Sequence, residues 1–322
     1  MKETTKTFYS TLTKYRMTLF GIAVIWIFFR HVYFFNIETY GFLDYVTQLG
    51  DCGVDVFLFL SGFGCFYSYK QKCDAIYFYK KRIIRIFPTT VILLVFFSLI
   101  DCCFGGGSLK SVFNPIAYIK SIYATYWFIG AIMIYYISFP IVYKLVLTRP
   151  FFFVLLAYVL AIGGVYLITF IDIGQAKSLA LYFARIPIFV LGAVFARNNN
   201  LFERKTILLT LTIVCAPLLF LLPKDYQRIA YGIFSLGIIS FLPYLIAYIP
   251  QKINEIVSCL GKSSFEFYII HLFAFYHGLV KSVVIENVPI GGGLAFIVLA
   301  IISFSFHKII NYIQGKLKCF LM

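Results

Sequence analysis

Two carboxylates interrupt the apolar run Gly50 to Phe63, GDCGVDVFLFLSGF. An acid without a partner costs roughly 2.5 kcal/mol or more at mid-bilayer, so Asp51 and Asp55 require partners or a chemical task. On a helix, positions 51, 55 and 62 return to one face. That face offers two acids above the bare backbone of Gly62, which suggests a polar cavity with room for something slender. Upstream, WIFFRHVYFF carries Arg30 and His31. If the first helix enters the membrane at about residue 17, His31 lies roughly 20 Å up at 1.5 Å per residue. A second helix running back from the far side brings Asp55 to a similar depth, where the two can meet. A histidine held by a carboxylate is the arrangement of a general base, because the acid fixes the tautomer and stabilises the imidazolium that forms. The competing reading is a buried histidine satisfied by packing and one hydrogen bond.

Further candidates follow along the chain. In YKQKCDAIYFYKKRIIRIFP, Arg82 and Arg85 lie one turn apart, where two planar forks could clamp phosphate, while Lys70, Lys72, Lys80 and Lys81 read as membrane anchors. A nucleotide-bearing cofactor at the inner surface would account for the arginine pair. Tyr126 and Trp127 open a later span at the interface, where aromatic belts account for most such residues. Arg185, in YFARIPIFVLG, is an intramembrane charge that needs an acid or a ligand. In SSFEFYIIHLFAFYHG, Glu266 and His271 are five apart and do not share a face closely. His277 and His307 read as loop or interface residues. Eight cysteines are scattered without metal or disulfide spacing, so no metal centre is expected and they serve as small apolar fillers.

The elements that must position these residues are set by composition. Of 322 residues, 61% are hydrophobic and 13% charged, against about 45–50% and 25% in a soluble domain. The chain reads as an all-α integral membrane protein of about ten spans, near 17–36, 45–68, 86–104, 126–146, 150–171, 178–196, 206–222, 229–249, 264–281 and 290–313. The short alternating segments of a β-barrel are absent. Placing the N-terminus inside puts 20 of the 28 lysines and arginines on the cytoplasmic side and six outside, with Arg30 and Arg185 within spans. Both termini are then cytoplasmic, and the net charge of +15 is a topology signal rather than a nucleic-acid surface. No cleavage site follows the first apolar run, which stays as a span. With no linker between spans, residues 1–322 read as one transmembrane domain.

The run GVDVFLFLSGF (53–63), His31 upstream, the RxxR of FYKKRIIRIFP, the WF and YxxxFP elements around Trp127 to Pro140, and SFEFYIIHLF (264–273) resemble the acyltransferase 3 family, in order and over nearly the whole chain. The resemblance implies a ten-helix core in the bacterial cytoplasmic membrane that takes an acyl group, usually acetyl, from cytoplasmic acyl-CoA. The acceptor it implies is a hydroxyl of a cell-surface or lipid-linked carbohydrate. Carried over residue by residue, it points to His31, Asp55, Arg82 and Arg85. One departure is that many members have an arginine eleven residues before the histidine, where this chain has Phe20. Arg16, one turn earlier, is the nearby substitute. The chain ends after the tenth span, so the expectation is that it lacks the soluble esterase-like domain of some relatives and completes transfer within the membrane core.

The resulting expectation has Arg82 and Arg85 holding CoA phosphates, the pantetheine arm passing Gly62, and His31 deprotonating the acceptor beside Asp55. A covalent acyl-histidine is the variant pathway. Ser61, Trp127 and Arg30 are candidate oxyanion donors, with Arg185, Glu266 and His271 as further substrate or site candidates. The alternative function is a secondary transporter or lipid-linked glycan flippase using the buried charges as a proton relay, although the two halves show no convincing repeat.

Overall fold

The computed structural model describes residues 8–35, 47–104, 112–171, 177–198, 201, 209–210, 212–214, 216, 221–284 and 288–321. These form helices α1 (Phe8–Phe35), α2 (Asp51–Lys70), α3 (Ala75–Phe104), α4 (Pro115–Ala124), α5 (Trp127–Thr148), α6 (Pro150–Ile171), α7 (Lys177–Ala184) and α8 (Ile186–Arg197). They continue as α9 (Lys224–Ile246), α10 (Gln251–Lys262), α11 (Ser264–Tyr276), α12 (Leu279–Val284) and α13 (Val288–Leu321), with no strand among the described residues. Apolar segments of this length must satisfy their backbone groups internally, and a helix does so within one segment. Among the described residues, eight stretches are long and apolar enough to cross a membrane, the α7–α8 pair counting as one. The protein is an all-α integral membrane protein.

Two of the ten expected spans differ in outcome from the other eight. Residues 264–281 form the shorter apolar α11 followed by α12, and 206–222 lies largely outside the described residues. The third span begins earlier than residue 86. Asp74 accepts hydrogen bonds from the amides of Ile76 and Tyr77 at 2.8 and 3.3 Å, capping a helix that continues without a break through the basic segment. Arg82 and Arg85 therefore lie within α3 rather than at its mouth.

Packing groups the chain into two compact units, each assembled from separated stretches. The first comprises the described parts of Met1–Arg30, Tyr40–Gln71 and Ser138–Lys262. Its centre is α2, packed chiefly on α8 and also on α9. Glycines permit the closest crossings: a Cβ on Gly62 would collide with the Phe189 carbonyl, and one on Gly192 with the Phe59 carbonyl. Between α1 and α10, Gly21 and Gly261 are used in the same reciprocal way against Val257 and Met17. In a bilayer, where apolar burial gives little drive between helices, this small-residue approach supplies the packing. The slender passage expected beside Gly62 is instead filled by the backbone of α8.

The second unit comprises the described parts of His31–Thr39, Lys72–Ile137 and Ser263–Met322. Here α11 packs on α13 and α3, and α12 on α13. Phe97 of α3 stacks on Phe273 of α11 with centroids 4.0 Å apart, and Phe96 meets Phe306 of α13 edge-on.

The reciprocal glycines give a direct test. Gly192→Leu must push one backbone from another and should destabilise the protein by about 2 kcal/mol or more, as overpacking does. Gly163→Leu in α6, where no atom lies within 4 Å of an added Cβ, should be close to neutral. Thermal unfolding in detergent compares them, and equal losses would show that the α2–α8 approach is not the constraint.

Candidate functional site

In the second unit, the site is built around two histidines. His31, in the last turns of α1, is half-buried, and His271 of α11 is 1% exposed. Their Nδ1 and Nε2 atoms respectively are 3.2 Å apart. The other nitrogen of His271, Nδ1, is 2.8 Å from the Phe267 carbonyl one turn earlier. A carbonyl only accepts, so in the neutral ring Nδ1 carries the proton and Nε2 carries the lone pair. His31 must then donate from Nδ1, which makes Nε2 its basic nitrogen. The backbone carbonyl thus selects the tautomer of both rings.

Aromatic rings fix the orientation of both imidazoles. His271 lies over Phe267 at 5.3 Å and 24° and meets Tyr268 at 5.8 Å, while Phe275 lies 5.8 Å from His31. Tyr268 also accepts from the amide of Phe128 at 3.3 Å, tying the first turn of α5 to α11 beside His271. Trp127, which opens α5, is half-buried and packs edge-on to Phe128. The sequence reading passed over Tyr268. Its position three residues before His271 is the signal that could have found it, since residues three apart are neighbours on a helix.

Glu266 is buried on another side of α11. Its Oε1 accepts from Nδ1 of His307 at 3.1 Å, and Asn311 donates to Nε2 of the same ring at 2.8 Å. His307, expected as a loop or interface residue, is thus part of a line of polar groups joining α11 to α13. His277 pairs with Asp101 at 3.2 Å.

The acids of α2 have their partners within the first unit. Asp55 is 0% exposed and forms an ion pair with Arg185, 2% exposed, and Ser235 donates to its second oxygen at 3.4 Å. Arg185 sits at the break between α7 and α8, where Pro187 at the start of α8 interrupts the amide ladder. Asp51 faces Arg30 at 4.0 Å. Thus the arginine that needed an acid has Asp55, and the expected neighbour of Asp55, His31, has His271. Ser61 is half-buried on α2.

Arg16 donates to the Leu60 carbonyl at 3.1 Å and occupies the space that a side chain at position 64 would need. Its guanidinium lies 5.4 Å from the Phe20 ring, and Phe20 stacks on Phe57. Arg16 therefore reaches α2, and Phe20 forms part of its apolar support. The two arginines of α3 have different surroundings. Arg82 lies 5.0 Å from the ring centroids of both Phe78 and Tyr136. Arg85 is exposed, and its carbonyl accepts from Gln314 of α13 at 3.0 Å.

A protein-family model described as an acyltransferase domain, that of acyltransferase 3, matches residues 21–307. Comparisons with curated proteins and with solved structures gave no match.

The ion pair gives Asp55 a structural part that can be tested apart from transfer. Asp55→Asn leaves Arg185 buried without a counter-charge and should cost about 3–5 kcal/mol of stability. Replacing the pair together, Asp55→Leu with Arg185→Met, should recover most of that loss. Unfolding of the purified variants measures both, and a fully stable Asp55→Asn protein would remove the structural assignment.

Proposed function

Because the chain belongs to the acyltransferase 3 family, we propose that it moves an acyl group, acetyl in the simplest case, from cytoplasmic acyl-CoA to a hydroxyl of a cell-surface or lipid-linked carbohydrate. The observation that carries the reading is the hydrogen-bonded line from the Phe267 carbonyl through His271 to His31, which leaves His31 Nε2 as the basic nitrogen. In the proposed step, the acceptor hydroxyl gives its proton to this nitrogen as its oxygen attacks the thioester carbonyl. The new C–O bond forms, the C–S bond breaks, and the imidazolium returns the proton to the departing thiolate. No net proton is released. His271 accepts from His31 throughout, holding the ring while charge develops.

The basic end of α3 supplies the donor's anchorage in this reading. Arg85 and Lys80 are exposed there, and a charged fork suits the phosphates of a nucleotide thioester. Lys72 instead lies 3.8 Å from the Tyr77 ring, as an anchoring lysine would. With the basic segments inside, the enzyme spans a bacterial cytoplasmic membrane and draws its donor from the cytoplasm.

Mass spectrometry of surface glycans from cells carrying each variant tests the base. His31→Ala should lose 10²- to 10⁴-fold in transfer, the usual worth of a positioned base, while still binding acyl-CoA. His271→Ala should be impaired as well, because His31 loses the acceptor that sets its tautomer. Near-normal acylation by His31→Ala would overturn the assignment. For the donor, Arg85→Gln should weaken acyl-CoA binding about tenfold, as loss of one hydrogen bond to a charged group does. Exchanging Lys70 and Lys72 together should do less, and equal effects would indicate a diffuse basic surface.

A further inference from the structure

Within the second unit, α3, α4 and α5 enclose a cavity of about 780 Å³. Along α3 it extends from Tyr79 to Val95, roughly 24 Å at 1.5 Å per residue, most of the roughly 30 Å hydrocarbon thickness of a bilayer. Its walls include Ile86 and Leu94 of α3, Ile119 and Ile122 of α4 and Met133 of α5. Ile83, Phe87, Val91, Ile119 and Ile137 at its margin are exposed, so it opens onto the apolar surface that faces lipid. Among its lining residues, Arg82 alone is charged.

Three of the four hydroxyl groups along the walls donate to backbone carbonyls. Tyr79 donates to the Ile137 carbonyl at 2.8 Å, Thr90 to the Ile86 carbonyl at 2.9 Å, and Tyr118 to the Val112 carbonyl at 2.6 Å. A sugar, or the amide-bearing arm of CoA, would bury polar groups against walls that offer them hydrocarbon. An alkyl chain has no such cost. At the Arg82 end the requirement changes, because a guanidinium beside two aromatic rings sets a positive charge at the end of otherwise uncharged walls. Lys80, Lys81 and Arg85 surround the same end of α3, and clustered cations at a span terminus attract anionic lipid.

We propose that this groove is a binding site for an anionic glycerophospholipid of the surrounding membrane, with one acyl chain lying along α3 and the headgroup phosphate at Arg82. The site gives Arg82 a task distinct from that of Arg85, and it is independent of the acyl-transfer chemistry at His31. A bound chain would fill a gap between helices that the protein's own side chains leave open.

The test uses the full-length protein in nanodiscs with a photoreactive diazirine in one acyl chain of either phosphatidylglycerol or phosphatidylcholine, followed by peptide mapping. Phosphatidylglycerol should label residues 83–95 of α3 and the facing stretches of α4 and α5, about fivefold more than phosphatidylcholine, the preference expected for one cation at the surface. Arg82→Gln should erase the preference while chain labelling persists. Ile86→Trp should reduce labelling by both lipids, whereas Ile134→Trp, on α5 outside the cavity lining, should not. Equal labelling by the two lipids in the unaltered protein would overturn the proposal. So would displacement of the probe by palmitoyl-CoA or by a polyprenyl phosphate, which would give the groove to a substrate instead.

Discussion

A carboxylate in the middle of an apolar helix is tolerated only against a cation, and the first unit is arranged around that demand. Asp55 is fully buried on α2, and the answering charge comes from the residue that caps α8, where Pro187 follows the junction between α7 and α8. The pair can form only because α2 and α8 approach backbone to backbone at Gly62 and Gly192. Each part depends on the others: larger residues would separate the helices, separation would strand the charges, and a stranded charge costs more than the pair contributes. Ser235 from α9 then satisfies the remaining carboxylate oxygen.

The second unit handles its polar groups by a different rule. Among the described residues, the polar groups around His271 are neutral: a carbonyl, two imidazoles and a tyrosine hydroxyl, each accepting or donating in a determined direction. A chain of this kind orients a histidine as firmly as a carboxylate would, since a backbone carbonyl cannot change role and fixes every proton after it. It also introduces no fixed charge into a hydrocarbon setting, where such a charge would need its own counter-ion. If His31 acts as the proposed base, a developing imidazolium gains less from this chain than an aspartate would give, and donors near the oxyanion would have to supply more.

The all-α membrane architecture was legible because composition and run length leave few alternatives. Pairing was harder. Depth along the membrane is the one coordinate that counting residues supplies, and it paired His31 with Asp55 as an expectation; which way a helix faces is a second coordinate, and neither the Asp55–Arg185 pair nor the His31–His271 pair could be read without it. The five-residue spacing of Glu266 and His271 was informative for the same reason, and the two do face different neighbours. His307 was read as a loop or interface residue although Ser303, His307, Asn311 and Gln314 recur at intervals of three and four along one helix. That spacing is a polar stripe, and its members bond to α11 and α3 or back to α13 itself.

The two arginines of α3 show how far spacing alone carries. One turn apart, they read as a single clamp, yet the helix runs through both of them and gives each a separate environment. Arg82 lies between Phe78 and Tyr136 at the end of an apolar groove, while the turn containing Arg85 is tied by Gln314, whose amide bonds both the Arg85 carbonyl and the Thr89 hydroxyl. Pro88, between them and the apolar part of the helix, cannot donate to the carbonyl one turn back, and the Thr89 and Thr90 hydroxyls bond the two carbonyls that follow it. A helix that stays continuous through Pro88, supported from outside by α13, can carry a polar end and an apolar end without a loop between them. That continuity puts a cation and an apolar groove on one element.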